Sequence, residues 1–216
     1  MTSAQYTEAC TNYSSTNEVA NVVPLLQAYS SMEVRLNGTS DNNSLNLTES
    51  YNVVSSSSSQ ISVDIMYRGN ESESLDAVLN TNGTIASLSV NGTTIPAQYG
   101  SEMAIGLFAG FIFEIDYVDS LSNFTQILQF HVTGTSTVTI GSVSIPVTTY
   151  AANSLPVTTS TCGGTDTLTA FSLTAGTPSG AKLPLVTSAT LAGSGSNTEG
   201  TSTYDVTVQV IGLTIA

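Results

Sequence analysis

One histidine, one lysine, two cysteines and 16 carboxylates are the side chains with which this 216-residue chain could do conventional chemistry. His131 is the only base available to a Ser-His-Asp system, and it sits in Leu128-Gln129-Phe130-His131-Val132, an alternating apolar and polar run. That pattern predicts a strand-face histidine rather than a catalytic base. A zinc protease motif needs two histidines and is excluded. Glu114 and Asp116 share one face of an expected strand and Asp119 follows, the raw material of a glycosidase carboxylate pair. No aromatic platform accompanies them and tryptophan is absent, so they read as solvated acids. A calcium site built from Asp116, Asp119 or the Asp41-Asn42-Asn43 loop is the competing reading. Lys182 is a candidate for an isopeptide bond to an asparagine, against the simpler reading of a lone surface lysine. There is neither a phosphate-binding Gly-X-X-X-X-Gly-Lys run nor a dinucleotide fingerprint. The expectation is no catalysis, no metal and no cofactor.

The residues with the strongest pattern are asparagines. Asn12, Asn37, Asn42, Asn46, Asn70, Asn82, Asn91 and Asn123 each begin Asn-X-Ser/Thr with X not proline. Ser and Thr supply 64 of the 216 residues and Asn supplies 15. Chance would make roughly four or five acceptors from that composition. Eight is an enrichment, and all of them lie before residue 126. Acceptors of this kind belong on exposed backbone of a secreted protein, where N-linked glycans are the expected additions.

Charge bounds the partners. Charged residues are 9% of the chain, against about 25% in an ordinary soluble domain. Ser, Thr, Asn and sugar must therefore keep the surface wet. Arg35, Arg68 and Lys182 are the only cations, and the formal net charge is −13. Phosphate binding needs clustered Lys and Arg, so nucleic acid is excluded, and anionic membrane surfaces are equally disfavoured. At pH 2–3 most carboxylates are neutral, and the chain would carry about +3 to +4 with His131 protonated. With three cations few native ion pairs exist for acid to break, so the chain is expected to tolerate acid.

Cys10 and Cys162 are the only cysteines. A bridge within the chain is the first reading, and closing so long a loop is worth about 4–5 kcal/mol in the chain-entropy model. Two buried thiols and a bridge between subunits are the alternatives. The start Met-Thr-Ser-Ala-Gln has neither a basic region nor an apolar core, so the numbering reads as that of a mature chain. The longest apolar run, Met103 to Phe113, is too short to span a bilayer.

These residues need a scaffold, and the periodicity supplies strands. Met32, Val34 and Leu36 alternate with polar residues, as do Ile61, Val63, Ile65 and Tyr67. Ala86, Leu88 and Val90 run into Asn91-Gly92, a hairpin signal. Phe113, Ile115 and Tyr117 form another stripe. Val138 and Ile140 face Val143 and Ile145 across Gly141-Ser142, and Leu168 to Leu173 reads as a two-sided strand. Tyr204, Val206, Val208 and Val210 form the cleanest stripe. Helix cues are confined to Glu18–Gln27, interrupted by Pro24. Ser55–Ser59 and Gly193–Gly200 read as loops. About ten to twelve short strands predict an all-β, immunoglobulin-like Greek-key sandwich. The expected division is a tail over 1–30 and a sandwich over 31–216, with a linker between two lobes near 151–161.

A Ser/Thr/Asn-rich, lysine-poor, multi-sequon all-β chain with apolar terminal segments resembles the thread filament subunits of thermoacidophilic archaea. The resemblance spans the whole chain in composition and strand layout. It implies a pilin-like sandwich with an extended terminal donor strand, polymerised head to tail with copies of itself as an extracellular, glycosylated cell-surface filament serving adhesion or biofilm formation. The donor would be the segment Glu18 to Tyr29, favoured over the C-terminal strand Thr203 to Ile215. A bridge from Cys10 to Cys162 within one subunit would tether the N-terminal candidate, whereas a bridge between subunits would lock the filament. The competing class is a monomeric cell-surface or S-layer-associated sandwich that binds sugars or another protein. A viral coat protein and a secreted hydrolase rank below these.

Overall fold

A computed structural model describes residues 15–41, 43–69, 72–82, 84–96, 130–161, 164–197 and 200–216. They form α1 (Ser15–Ala28), β1 (Tyr29–Ser40), β2 (Asn43–Ser56), β3 (Gln60–Arg68), β4 (Ser72–Asn80), β5 (Ile85–Val90) and β6 (Thr93–Thr94). After the interval to residue 130 come β7 (Phe130–Ile140), β8 (Val143–Ala152), β9 (Val157–Thr161), β10 (Gly164–Gly176), β11 (Leu185–Asn197) and β12 (Gly200–Ile215). The fold is all-β, as the period-two stripes require. The helix falls where its cues lie, and Pro24 sits inside it.

All the described strands belong to one antiparallel sheet, in the order β6-β5-β4-β3-β2-β1-β12-β11-β10-β8-β7, with β9 added on β10. The connectivity is a meander rather than the expected Greek key. Apart from β12 on β1, neighbours in the sheet are near neighbours in sequence. Short turns dictate this: Asn91 and Gly92 take φ of 48° and 79°, the left-handed pair that suits a two-residue hairpin. Gly141 does the same with φ 59° between β7 and β8.

The sheet curls around its core, because β7 comes up against β12 although β11, β10 and β8 separate them in the ladder. One row across six strands shows how the core is laid down: Leu213, Met32, Tyr51, Ile65, Leu75 and Val90 are directly opposite one another in turn. The first five are buried. The two halves of the sheet share one apolar cluster, the layering of a sandwich, which includes Ile61 and Leu79 from one half and Ile145 and Val147 from the other. A second, smaller cluster gathers Phe171, Leu173, Val186 and Ala189, with Phe130 packed on Phe171 at a 5.2 Å ring separation.

The terminal segments are part of this unit. On α1, Val22, Val23, Leu25 and Leu26 are at most 4% exposed and join the main cluster. Their spacing makes one helical stripe, while Pro24 and Gln27 face outward. The tail expected as a free strand over Glu18 to Tyr29 is thus helix as far as Ala28, and only Tyr29 begins a strand. Tyr29 is fully buried, and its hydroxyl donates to the Leu183 carbonyl. At the other end, β12 pairs with β1 from Tyr29↔Ile215 to Ser40↔Tyr204 and with β11 from Ser188↔Gln209 to Asn197↔Gly200.

Two expected loops contain strand. Of Ser55–Ser59 only residues 57–59 turn, and Gly193–Asn197 belong to β11. At Gly193 an added Cβ would strike the Thr167 carbonyl oxygen and the Tyr204 hydroxyl, so glycine there permits close approach rather than marking a loop. Residues 151–161, expected as a linker, are the end of β8, a turn and β9.

Candidate functional site

Four of the eight acceptor asparagines fall within the described residues, and all four are exposed: Asn37, Asn46, Asn82 and Asn91. Asn12, Asn42, Asn70 and Asn123 lie outside them, as do Cys10, Cys162, Glu114, Asp116 and Asp119. The four described sites belong to the β1–β6 half. Asn37 and Asn46 are directly opposite on β1 and β2, in the outward-facing register set of Arg35 and Thr48. Asn82 and Asn91 occupy turns.

At both turn sites the amide oxygen is held, and among the described residues the amide nitrogen makes no hydrogen bond. Asn82 Oδ1 accepts from the Thr84 backbone N–H at 3.1 Å and from the Thr84 hydroxyl at 2.8 Å. This is an Asx-type turn formed within the Asn-Gly-Thr acceptor itself. Asn91 Oδ1 accepts from the Ser74 N–H at 3.0 Å and from its hydroxyl at 3.3 Å. The nitrogen that would carry a sugar thus points away from the bonds that fix each side chain.

The outer face between these sites is polar and shaped. A shallow depression of about 280 Å³ lies over β2–β6, lined by Ser62, Asp64, Asp76, Ser87, Ser89 and Thr94 among others. Asn52, Asp64, Asp76 and Ser89 form one cross-strand row. Like charges directly opposite are destabilising. Ser89 offsets this in part by donating to Asp76 Oδ2 at 3.0 Å. On the same face Arg68 reaches Glu33 at 3.6 Å, an ion pair with side chains 56% and 36% exposed. An exposed pair of that kind is worth about 0–1 kcal/mol. Among the described residues no group of three or more His, Cys, Asp or Glu is placed to hold a metal ion.

One polar constellation lies on the core side. Glu49 is 2% exposed on β2, opposite Val34 on β1 and Tyr67 on β3. Burial, then the Glu49 charge, then a hydrogen bond to Glu49 and the Glu73 charge hold the Tyr67 phenol well above its usual range. The pair keeps a proton on Tyr67 and a polar group inside an apolar layer. Sequence reasoning passed over it. Its signal is a carboxylate in an apolar phase: Leu45, Leu47, Glu49, Tyr51 and Val53 alternate with polar residues.

The remaining candidates are placed singly. Exposed His131 donates from Nδ1 to Asn153 Oδ1, a partner that is neither a carboxylate nor a nucleophilic hydroxyl. Lys182 is exposed on the loop between β10 and β11, away from the buried setting an isopeptide needs. The Asp41 carboxylate accepts the Thr203 N–H at 2.7 Å, while the Asp41 N–H donates to the Thr203 carbonyl. Asp41 therefore ties the β1–β2 turn to β12. Among the described residues no helix is long and apolar enough to cross a membrane.

No family model and no curated protein matches this chain. Among solved structures it is similar to a chain of "The complex structure of Pseudomonas aeruginosa MucA/MucB", at 10% identity and a TM-score of 0.40, over 94% of this chain and 57% of that one.

Proposed function

We infer that this chain is a non-catalytic, N-glycosylated β-sheet module of the extracellular surface, folded as a self-contained unit and binding a glycan or a protein partner. The inference rests on where β12 sits. The C-terminal strand is flanked by β1 and β11 of its own chain. Donating it would strip two ladders from the centre of the sheet. Donating the N-terminal segment would pull Val22, Val23, Leu25 and Leu26 out of the core. Exposed acceptor sites with open amide nitrogens at Asn82 and Asn91 support the glycosylated, extracellular part of the reading.

A glycosylated filament of thread type, made of copies of this chain, is the second reading. Every acceptor site precedes β7, so the β7–β12 half is free of them and suits subunit contacts.

Deletion of residues 200–216 separates the two. In a self-contained module the truncated chain loses its cooperative melt and its far-UV circular dichroism strand signal, and the full chain is folded at every dilution. The opposite result is a full chain that forms head-to-tail filaments in negative-stain micrographs and a truncated chain that stays folded but no longer assembles. That result would return the protein to donor-strand assembly.

A further inference from the structure

An open sheet has edges, and edges invite strands. β6 is two residues long and follows the Asn91 acceptor directly, and β9 is five residues long. β7 is different. It runs for 11 residues and, among the described residues, pairs with β8 alone. Residues 131–137 are exposed one after another, so both faces of the strand meet solvent, and Val132 is 57% exposed.

Natural edges of this length are protected by charge, proline or bulges. β7 reads Phe-His-Val-Thr-Gly-Thr-Ser-Thr-Val-Thr-Ile, without lysine, carboxylate or proline. Its one irregularity lies between Val132 and Gly134, and pairing is regular from Gly134 to Ile140. Elsewhere the chain is well guarded. Of its 16 carboxylates, only Asp166, Glu199 and Asp205 follow residue 129, and the last acceptor asparagine is Asn123. Among the described residues, most of the charge and all four acceptor asparagines, which would hold two copies apart, lie on the β1–β6 half.

We propose that β7 pairs edge to edge with β7 of a second copy, antiparallel about a twofold axis, so that one sheet runs through a dimer. A second copy fits this edge because like meets like there without charge repulsion. A symmetric pairing centred on the strand midpoint sets Thr135 opposite its own counterpart. The same register sets Thr133 opposite Thr137 and brings Val132 against Val138, which covers the exposed valine. Such threonine and β-branched cross-strand pairs stabilise antiparallel sheets. The proposal goes beyond the surface-module reading and does not depend on it.

The twofold makes the test specific, because a charge at Thr135 must face its own copy. Full-length, secreted, glycosylated chain is examined by sedimentation equilibrium in reductant, with circular dichroism melts as the check on folding. The wild type should be a dimer. Thr135→Lys and Thr135→Glu should each weaken the dimer by at least about tenfold while the chain still melts cooperatively from a folded state. An equimolar mixture of the two variants should recover it. A wild type that stays monomeric at the highest concentration overturns the proposal, and so does a dimer lost in reductant. A dimer that tolerates Thr135→Lys, or a mixture that stays monomeric, overturns it equally.

Discussion

Gly38→Ala puts the β1–β12 seam under direct test. Gly38 is opposite Val206 with φ +150°, and a Cβ there would strike the Asp205 carbonyl oxygen, with the Asp205 carbonyl carbon and Val206 Cα both 2.9 Å away. Backbone atoms of a central ladder cannot swing aside as a flexible side chain can. Two costs follow: about 1–3 kcal/mol for forcing alanine into a glycine conformation, and about 1–3 kcal/mol for prising strands apart. The expected loss is about 2–6 kcal/mol, or about 4–24 °C in melting temperature for a chain of this length. Gly92→Ala isolates the first cost, because φ is +79° and nothing lies within 4 Å of its would-be Cβ. It should lose about 1–3 kcal/mol. Both substitutions preserve the neighbouring acceptor sequences, Asn37-Ala-Thr39 and Asn91-Ala-Thr93, so glycosylation does not confound the comparison. Far-UV circular dichroism or calorimetry is the assay, since the chain lacks tryptophan. A Gly38→Ala protein melting within about 2 °C of the wild type would refute the close-approach argument. In the dimer-breaking Thr135→Lys background the melt should also be independent of protein concentration over a hundredfold range, because β12 and β1 belong to one chain. A concentration-dependent melt in that monomeric background would instead put the seam between copies.

Leu26→Ala should cost about 2–5 kcal/mol, read from denaturant midpoints, because Leu26 is 2% exposed in the main core cluster; a loss under about 1 kcal/mol would mean that α1 is not docked there. Tyr67 gives a pH prediction. Its folded phenol is held above the unfolded value near 10, so its contribution is complete below pH 10. Above pH 10 the unfolded chain sheds a proton that the folded chain keeps, and stability falls by up to about 1.4 kcal/mol per pH unit. Tyr67→Phe should flatten that part of the stability curve between pH 10 and 12, and an unchanged slope would show that burial and Glu49 together do not hold the phenol above its usual range.

Most strands were legible because burial on one face writes itself as alternation. Met32/Val34/Leu36 and Ile61/Val63/Ile65 needed nothing more, and Asn91-Gly92 and Gly141-Ser142 marked their hairpins. β2 and β4 were masked by their own composition. Glu49 breaks the apolar phase of β2, and Glu73 breaks that of β4 ahead of Leu75, Ala77 and Leu79. Gly193–Asn197 resembles a loop by composition, yet glycine is what lets Thr167 and Tyr204 come close. Strand order was not legible. Periodicity says which face of a strand is buried, but not against what, and the β1–β12 ladder joins the two ends of the chain. At the candidate site, the acceptor asparagines were fully visible as motifs. Glu49 carried a signal as a carboxylate in an apolar phase, but its pairing with Tyr67 and the Asp64–Asp76 pair were not legible, because each is made by register between strands.

The terminal stripe shows why composition pointed toward strand donation and register away from it. Tyr204, Val206, Val208 and Val210 would alternate in the same way whether their partner were a neighbour's groove or the chain's own β1. What distinguishes the cases is whether the flanking ladders are already occupied, and here both are. Among the described residues the unoccupied ladder lies instead on β7, a strand whose threonine-rich sequence carries no strong apolar stripe. Exposed apolar strands are hazardous in a secreted protein, whereas an exposed row of threonines stays soluble until a matching edge arrives. Assembly through β7 would therefore leave the core of each copy intact. Association and folding would then be separable, as they cannot be when the exchanged strand is also the centre of the sheet.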